Sequence, residues 1–250
     1  MKILLLNPNS STAMTHAMTL AAQSVSVTDS LQIDPYTAPS SAPASINNDS
    51  DIEASTLVVQ EDLIHRKSIH LGDYDAVLVA CYSAHTLVPQ LANQFPNLAV
   101  TGIFEASILT GLSLISSTPN QEQWGIVTTG EFWESHLARG ISDFLGRDGT
   151  GDAKFAGVFS TGLTAGDFHT VSPDEVREKL KAATARLLHS GNVTCVAMGC
   201  GGMAGLEDII RSTARQVYGQ ERAAALYVVD GVKAGILQLF LTVHSRRVFR

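Results

Sequence analysis

Eight short apolar runs, separated by longer segments of helix-like composition, constrain the fold of this 250-residue chain. Most runs lack the alternation of apolar and polar residues that marks a half-buried strand, as expected of strands covered on both faces. Strands of this kind alternating with helices are typical of βαβ units and a parallel sheet. The predicted strands are Lys2–Asn7, Leu31–Tyr36, Ala76–Cys81, Leu98–Ile103, Trp124–Thr129, Phe155–Ser160, Val193–Cys200 and Ala225–Asp230.

The first four runs and the last four carry the same features in the same order, which indicates an internal duplication. The third run of each half ends in a cysteine, Cys81 or Cys200. Cys81 lies about 74 residues after Asn7, and Cys200 lies about 72 residues after Thr128, so the two halves also match in spacing.

This duplication predicts an α/β protein of two pseudo-symmetric, open parallel-sheet lobes, with about four strands each and a flavodoxin-like build. The predicted first lobe comprises residues 1–103 plus 231–250, and the second comprises residues 104–230. Ligands bind such sheets at the carboxyl ends of the strands. We therefore expect the active site to lie between the lobes, with one cysteine on each side.

Charge and composition exclude several classes of partner. The net charge of −7 and the isoelectric point near 5.5 oppose binding to nucleic acid or to an anionic membrane surface. The N-terminal apolar run stops at Asn7, and no stretch approaches the roughly 20 apolar residues that span a bilayer. We predict a cytoplasmic protein that acts on a small molecule.

The strand-end cysteines are the candidate catalytic residues. Each is predicted to lie near a helix N-terminus, where the dipole and free N–H groups lower a thiol's pKa from about 8.5. The same N–H groups could hold the oxygen of an enolate. A single cysteine in such a place is often a buried filler, but two at equivalent places favour a reactive pair. The third, Cys195, lies mid-strand and is predicted to be inert core.

Polar residues that follow the strands are candidate substrate contacts. His85 could face Cys81 across one turn, or could simply cap a helix or be exposed. Ser10 and Thr129 could serve as helix caps instead of, or as well as, ligand contacts. The Pro/Ser/Ala-rich stretch Thr37–Ser50 predicts an exposed loop with little structure of its own, which could form a lid or a wall of the site. The predicted substrate-binding residues are Asn7, Asn9, Ser10, Ser83, His85, Thr128, Thr129, Gly201 and Gly202.

Sequence signatures of phosphate loops, dinucleotide-binding loops and zinc sites are absent from the chain. The cysteines also lack the C-x-x-C spacing of metal and redox sites. We therefore predict no cofactor and no metal.

Taken together, the motifs resemble the aspartate/glutamate/hydantoin racemase superfamily over nearly the whole chain. They are closest to the hydantoin and allantoin racemase branch, including its fungal relatives. The motifs are Asn-Pro-Asn-Ser at 7–10, Ala-Cys at 80–81, Val-Thr-Thr-Gly at 127–130, Gly-Cys-Gly-Gly-Met at 199–203 and Val-Asp-Gly at 229–231.

The resemblance implies a two-lobed fold and cofactor-free inversion of a stereocentre by one thiolate and one thiol, here Cys81 and Cys200. It implies that Asn9, Ser10 and Thr129 contact the polar ring or carboxylate of the substrate, and it is compatible with a homo-oligomer. The amino-acid racemase branches usually carry an acidic or Ser-rich first motif and a His soon after the second cysteine. This chain has neither, which argues against free aspartate or glutamate as substrate.

The expected function is therefore that of a racemase or epimerase of a 5-substituted hydantoin or allantoin. Four alternatives stay open at this point. Three use the same fold: a decarboxylase, a cis–trans isomerase, and an epimerase or cyclase of secondary metabolism. The fourth is a non-catalytic ligand-binding or scaffold protein, or a dithiol redox protein, and only a redox pair is expected to form a disulfide.

Overall fold

The structure, a computed structural model, describes residues 1–26, 31–116, 122–146 and 154–250. The chain divides into two compact units. The first unit comprises Met1–Ala106 together with Val232–Arg250, and the second comprises Ser107–Gly231. Each unit has its own sheet, and each is described by itself.

The described strands and α-helices alternate along most of the chain. In chain order the strands are β1 (Lys2–Asn7), β2 (Gln32–Thr37), β3 (Ala76–Val79), β4 (Ala99–Gly102), β5 (Gln123–Thr128), β6 (Phe155–Ser160), β7 (Val193–Gly199) and β8 (Tyr227–Asp230). The helices are α1 (Thr12–Gln23), α2 (Asp49–Gln60), α3 (Leu87–Gln94), α4 (Ile103–Leu114), α5 (Phe132–Leu145), α6 (Asp167–Thr170), α7 (Pro173–His189), α8 (Glu207–Tyr218), α9 (Gln220–Ala224) and α10 (Gly231–Val248).

Both sheets are parallel and share one topology. The first has the strand order β2-β1-β3-β4 and the second has the order β6-β5-β7-β8. All four residues of β3 are buried, which explains why this run shows no alternation of apolar and polar residues. The predicted α/β class with two four-stranded parallel sheets is confirmed, and the predicted strand ends agree to within about two residues.

The register of pairing supports the duplication at the strand residue that precedes each cysteine by two positions. Val79 of β3 pairs with Leu6 of β1 and with Gly102 of β4. Met198 of β7 occupies the same position in the second sheet, with a partner on β5 and another on β8. Those partners are Val127 and Asp230. In each sheet a cysteine follows two residues later, just beyond the end of the strand and not within it as predicted.

Two glycines allow helices to approach the sheets closely. A Cβ on Gly235 of α10 would overlap Leu78 Cδ1, and a Cβ on Gly111 of α4 would lie 3.1 Å from the Trp124 ring. Leu78 and Trp124 are fully buried. The C-terminal helix α10 therefore packs on the first sheet, while most of α4 belongs to the second unit.

Candidate active site

Cys81 lies in a tight segment that follows β3. Its side chain is partly buried, and its Sγ accepts a hydrogen bond from the Ser83 hydroxyl, with Oγ 3.4 Å away. Two successive three-residue turns shape the segment. The Ser83 N–H donates to the Cys81 carbonyl at 3.0 Å, and the His85 N–H donates to the Ser83 carbonyl at 2.8 Å. Because α3 begins only at Leu87, the predicted helix N-terminus beside Cys81 is wrong.

Cys200 directly follows β7 and precedes the 3₁₀ turn Gly201–Met203. The Gly202 N–H donates to Sγ at 3.2 Å. Burial nevertheless raises the pKa of the Cys200 thiol to about 11, outweighing the N–H groups of Gly202 and Met203, which act to lower it. The predicted lowering of the thiol pKa is therefore wrong for Cys200, because a three-residue turn adds little dipole while burial disfavours the thiolate. At neutral pH this sulfur carries its proton.

Cys195 belongs to the core of the second sheet, as predicted. It is fully buried within β7, and burial raises its thiol pKa to about 12. Its neighbours in the ladder are Trp124 and Tyr227. This residue offers a matched control for the other two cysteines.

Asn7 and Asn9 form a buried network at the end of β1. The Asn7 amide donates to Asn9 Oδ1 and to Thr15 Oγ1, both at 2.9 Å. The Ser11 N–H also donates to Asn9 Oδ1, and the Asn9 amide contacts the Met14 sulfur at 3.3 Å. These bonds fix the shape of the loop, so the polar atoms of Asn7 are already used within the first unit. Contact of either asparagine with a substrate stays a prediction.

Ser10 ties this loop to the stretch that follows β2. Its hydroxyl donates to the Ala42 carbonyl and its N–H donates to the Pro43 carbonyl, both at 3.0 Å. The N-cap of α1 is Ser11, so the alternative capping role for Ser10 is wrong by one residue. The loop predicted over Thr37–Ser50 is present only at 38–48, because Thr37 ends β2 and α2 begins at Asp49, and it is less exposed than expected. Three of its apolar side chains are buried, those of Ala38, Ala42 and Ile46.

Thr128 and Thr129 occupy the equivalent end of β5. The Thr128 hydroxyl donates to the Gly199 carbonyl at 2.8 Å, which joins the ends of β5 and β7. The Thr129 carbonyl accepts from the Thr161 hydroxyl at 3.2 Å and from the Gly162 N–H at 3.0 Å. Both threonine side chains are buried. The N-cap residue of α5 is Glu131, so the alternative capping role for Thr129 is also wrong.

His85 is buried and is anchored to α2 and α3. Its Nδ1 accepts from the Leu87 N–H at 3.3 Å, and its Nε2 lies 3.2 Å from the Ser55 hydroxyl. Burial lowers the pKa of His85 to about 4, so the ring is neutral at pH 7. Both ring nitrogens are thus used within the first unit, and a direct role at the substrate stays a prediction.

Glu105 is a partly buried ionisable residue that the sequence pattern does not single out. Burial raises its pKa to about 7, although the backbone N–H groups of Gly102 and Glu105 act to lower it. One of its carboxyl oxygens, Oε2, is buried with no hydrogen-bond partner among the residues that the structure describes. It occupies the space that a side chain at Gly102 would need, since a Cβ there would overlap Oε2. A Glu in the first turn of a helix is a capping signal that could have identified this residue from the sequence.

The described residues include neither a metal-binding cluster nor a membrane-spanning helix. No group of three or more His, Cys, Asp or Glu side chains in those ranges could hold a metal ion. Within the same ranges, every helix is too short or too polar to cross a membrane.

The chain is similar to one protein family and to several known proteins. The model of the Asp/Glu/Hydantoin racemase family matches residues 3–239. An uncharacterized protein of Schizosaccharomyces pombe is 30% identical over 237 residues, 94% of this chain and 89% of that protein. A hydantoin racemase of a Pseudomonas species is 26% identical over 236 residues, 94% of this chain and 83% of the relative. The solved allantoin racemase of Klebsiella pneumoniae superposes with a TM-score of 0.74 at 21% identity, covering 98% of this chain and 88% of that one.

Proposed function

Because the chain belongs to the Asp/Glu/Hydantoin racemase family, we propose that it is a cofactor-independent racemase or epimerase of a hydantoin-like compound. The substrate class is a 5-substituted hydantoin or allantoin. Cys81 and Cys200 exchange protons with the ring carbon that carries the substituent. The hydantoin racemase among the relatives supports the substrate class, and the allantoin racemase supports it through the shared fold.

One observation carries this proposal. Cys81 and Cys200 each stand two residues after the strand residue with equivalent pairing, Val79 in one sheet and Met198 in the other. Each sulfur accepts a hydrogen bond from the second residue after it. Cysteines that only fill the core would not be expected to share both the same strand register and the same hydrogen bond to the sulfur.

The proposed reaction consists of two proton transfers at the substituted ring carbon. The hydrogen on the substituted ring carbon is acidified by the adjacent carbonyl, and a thiolate is a suitable base once the enolate is stabilised. A thiolate at Cys81 takes the proton from one face and leaves its electron pair on the enolate. The Cys200 thiol, protonated at neutral pH, gives its proton to the opposite face. This turnover leaves Cys81 as the thiol and Cys200 as the thiolate, and that form of the enzyme converts the other enantiomer by the same two transfers in reverse, which is why two cysteines are needed.

The polar residues around the strand ends supply binding in this proposal. Asn9, Ser10 and Thr129 contact the polar ring. The Gly201 N–H, directly after Cys200, holds the enolate oxygen, since backbone donors stabilise charge that develops during a reaction. The remaining predicted contacts act through the shape of the loops that they fix, and these residues are Asn7, Ser83, His85 and Thr128.

The test is a racemisation assay on a panel of single enantiomers followed by polarimetry. The panel comprises both enantiomers of allantoin, several 5-substituted hydantoins, and aspartate and glutamate. We expect loss of optical rotation with one or more of the cyclic compounds from either enantiomer, and no change with the two amino acids. Turnover of aspartate or glutamate alone, or an unchanged rotation across the whole panel, would contradict the proposal.

A further inference from the structure

The Ser83 hydroxyl donates a hydrogen bond to the Cys81 sulfur. Oγ lies 3.4 Å from Sγ, and the Ser83 side chain is fully buried. In the described part of the chain, Sγ is the one hydrogen-bond partner of this hydroxyl. The preceding turns hold Ser83 at both backbone ends, through its N–H and its carbonyl. The donor is therefore fixed in place before any substrate binds.

The second unit has a donor at the same offset, but of a different kind. Cys200 Sγ accepts from the N–H of Gly202, 3.2 Å away. A backbone N–H can only donate, so it favours the thiolate form of the sulfur. A serine hydroxyl both donates and accepts, because its hydrogen rotates about the C–O bond. The two sulfurs thus have unequal surroundings at matching positions.

We propose that Ser83 is a positioning residue that holds the Cys81 sulfur and supports it in both protonation states, donating to the thiolate and accepting from the thiol. This inference rests on the proposed function, in which Cys81 loses and regains a proton in each cycle. It assigns Ser83 to the sulfur and not to the substrate, where the sequence pattern had placed it. Hydrogen bonds to charged groups are the stronger class, so the hydroxyl favours the thiolate overall.

The experiment measures the alkylation of Cys81 by iodoacetamide as a function of pH, with no substrate present. Cys81 is the one cysteine between Lys67 and Arg139, so a tryptic peptide reports it separately from the other two. In Ser83→Ala we expect the midpoint of the alkylation profile to rise by about one pH unit. This shift corresponds to roughly a tenfold loss of thiolate at a pH below the midpoint.

Three controls make this result specific. Ser83→Thr keeps the hydroxyl and should restore the wild-type midpoint. Ser55→Ala removes another buried hydroxyl of the same unit, one that contacts His85 and not the sulfur, and should leave the midpoint unchanged. Circular dichroism checks that each variant is folded. If Ser83→Thr does not fold, the difference in midpoint between Ser83→Ala and Ser55→Ala still tests the inference.

An unchanged midpoint in Ser83→Ala would overturn the inference. So would an equal shift in Ser55→Ala, which would show general loosening of the segment. Because alkylation needs no turnover, these outcomes are independent of the polarimetric assay. If the enzyme racemises a hydantoin, Ser83→Ala should also move the acidic limb of kcat/KM to higher pH while changing KM little. A change in KM alone would mean that Ser83 contacts the substrate instead.

Discussion

The Ser55 hydroxyl lies 3.2 Å from His85 Nε2, and both side chains are buried. Since His85 Nδ1 accepts from a backbone N–H, the ring proton of the neutral form must be on Nε2 and is donated to Ser55. The Ser55 hydroxyl in turn donates to the Ile52 carbonyl at 2.9 Å. This chain of bonds connects α2 to the segment that carries Cys81. It also requires a neutral histidine, because Nδ1 must keep its lone pair.

We expect His85 to make the protein sensitive to mild acid. Its pKa is lowered from 6.5 to about 4, so its contribution to stability is present above pH 6.5 and is lost as the pH falls through 4. Between pH 7 and pH 4, His85→Gln should lose about 2 kcal/mol less of its unfolding free energy than the wild type does. Urea titrations at pH 7, 5 and 4 measure this. Ser55→Ala, which keeps the histidine, should retain the acid sensitivity, and parallel curves for His85→Gln and wild type would contradict the assignment.

Glu105 should have the opposite effect on the pH dependence of stability, lowering the unfolding free energy as the pH rises. Burial raises its carboxyl pKa from 4.5 to about 7, so its contribution to stability is complete below pH 4.5 and is lost as the pH rises through 7. Glu105→Gln does not titrate, and its unfolding free energy relative to wild type should improve by about 2 kcal/mol between pH 5 and pH 8. Urea unfolding at these two values is the measurement. The exposed Glu53→Gln serves as the control and should show no such trend. A constant difference for Glu105→Gln would show that this carboxyl does not titrate in the window.

The sheets could be predicted from the sequence because a strand that is buried on both faces consists mostly of consecutive apolar residues. Lys2–Asn7 and Phe155–Ser160 were predicted with their observed bounds, and the repeated cysteine position gave the equivalence of the two halves. The chemistry at the sulfurs could not be predicted in the same way. The raised pKa of Cys200 depends on tertiary packing, and the Ser83 contact depends on two turns that have no periodic signature. Sequence adjacency suggested a helix dipole at Cys81, where the structure has a hydroxyl.

If the proposed function holds, substitution of Cys81 or Cys200 should abolish racemisation. Without its sulfur, one face of the ring carbon has no acid or base, so Cys81→Ser and Cys200→Ser should each lower the rate of optical-rotation decay by about 100-fold or more. Cys195→Ala removes a buried core sulfur and should keep most of the activity with some loss of stability. Polarimetry gives the rates, and circular dichroism confirms the folded state. Normal turnover in either serine variant would argue against the two-thiol mechanism.

Deuterium incorporation tests the fate of the proton. The thiol proton of Cys200 exchanges with solvent, so racemisation in deuterated water should place one deuterium on the ring carbon of each inverted product molecule. Mass spectrometry of the separated enantiomers measures this label, starting from each enantiomer in turn. In the two-thiol scheme, product inverted early in the reaction is labelled while the remaining substrate is largely unlabelled, because different sulfurs serve the two faces. Inverted product without label would mean that a single group carries the proton from one face of the ring carbon to the other. Equal label in the product and in the remaining substrate would indicate a single base that exchanges its proton with solvent.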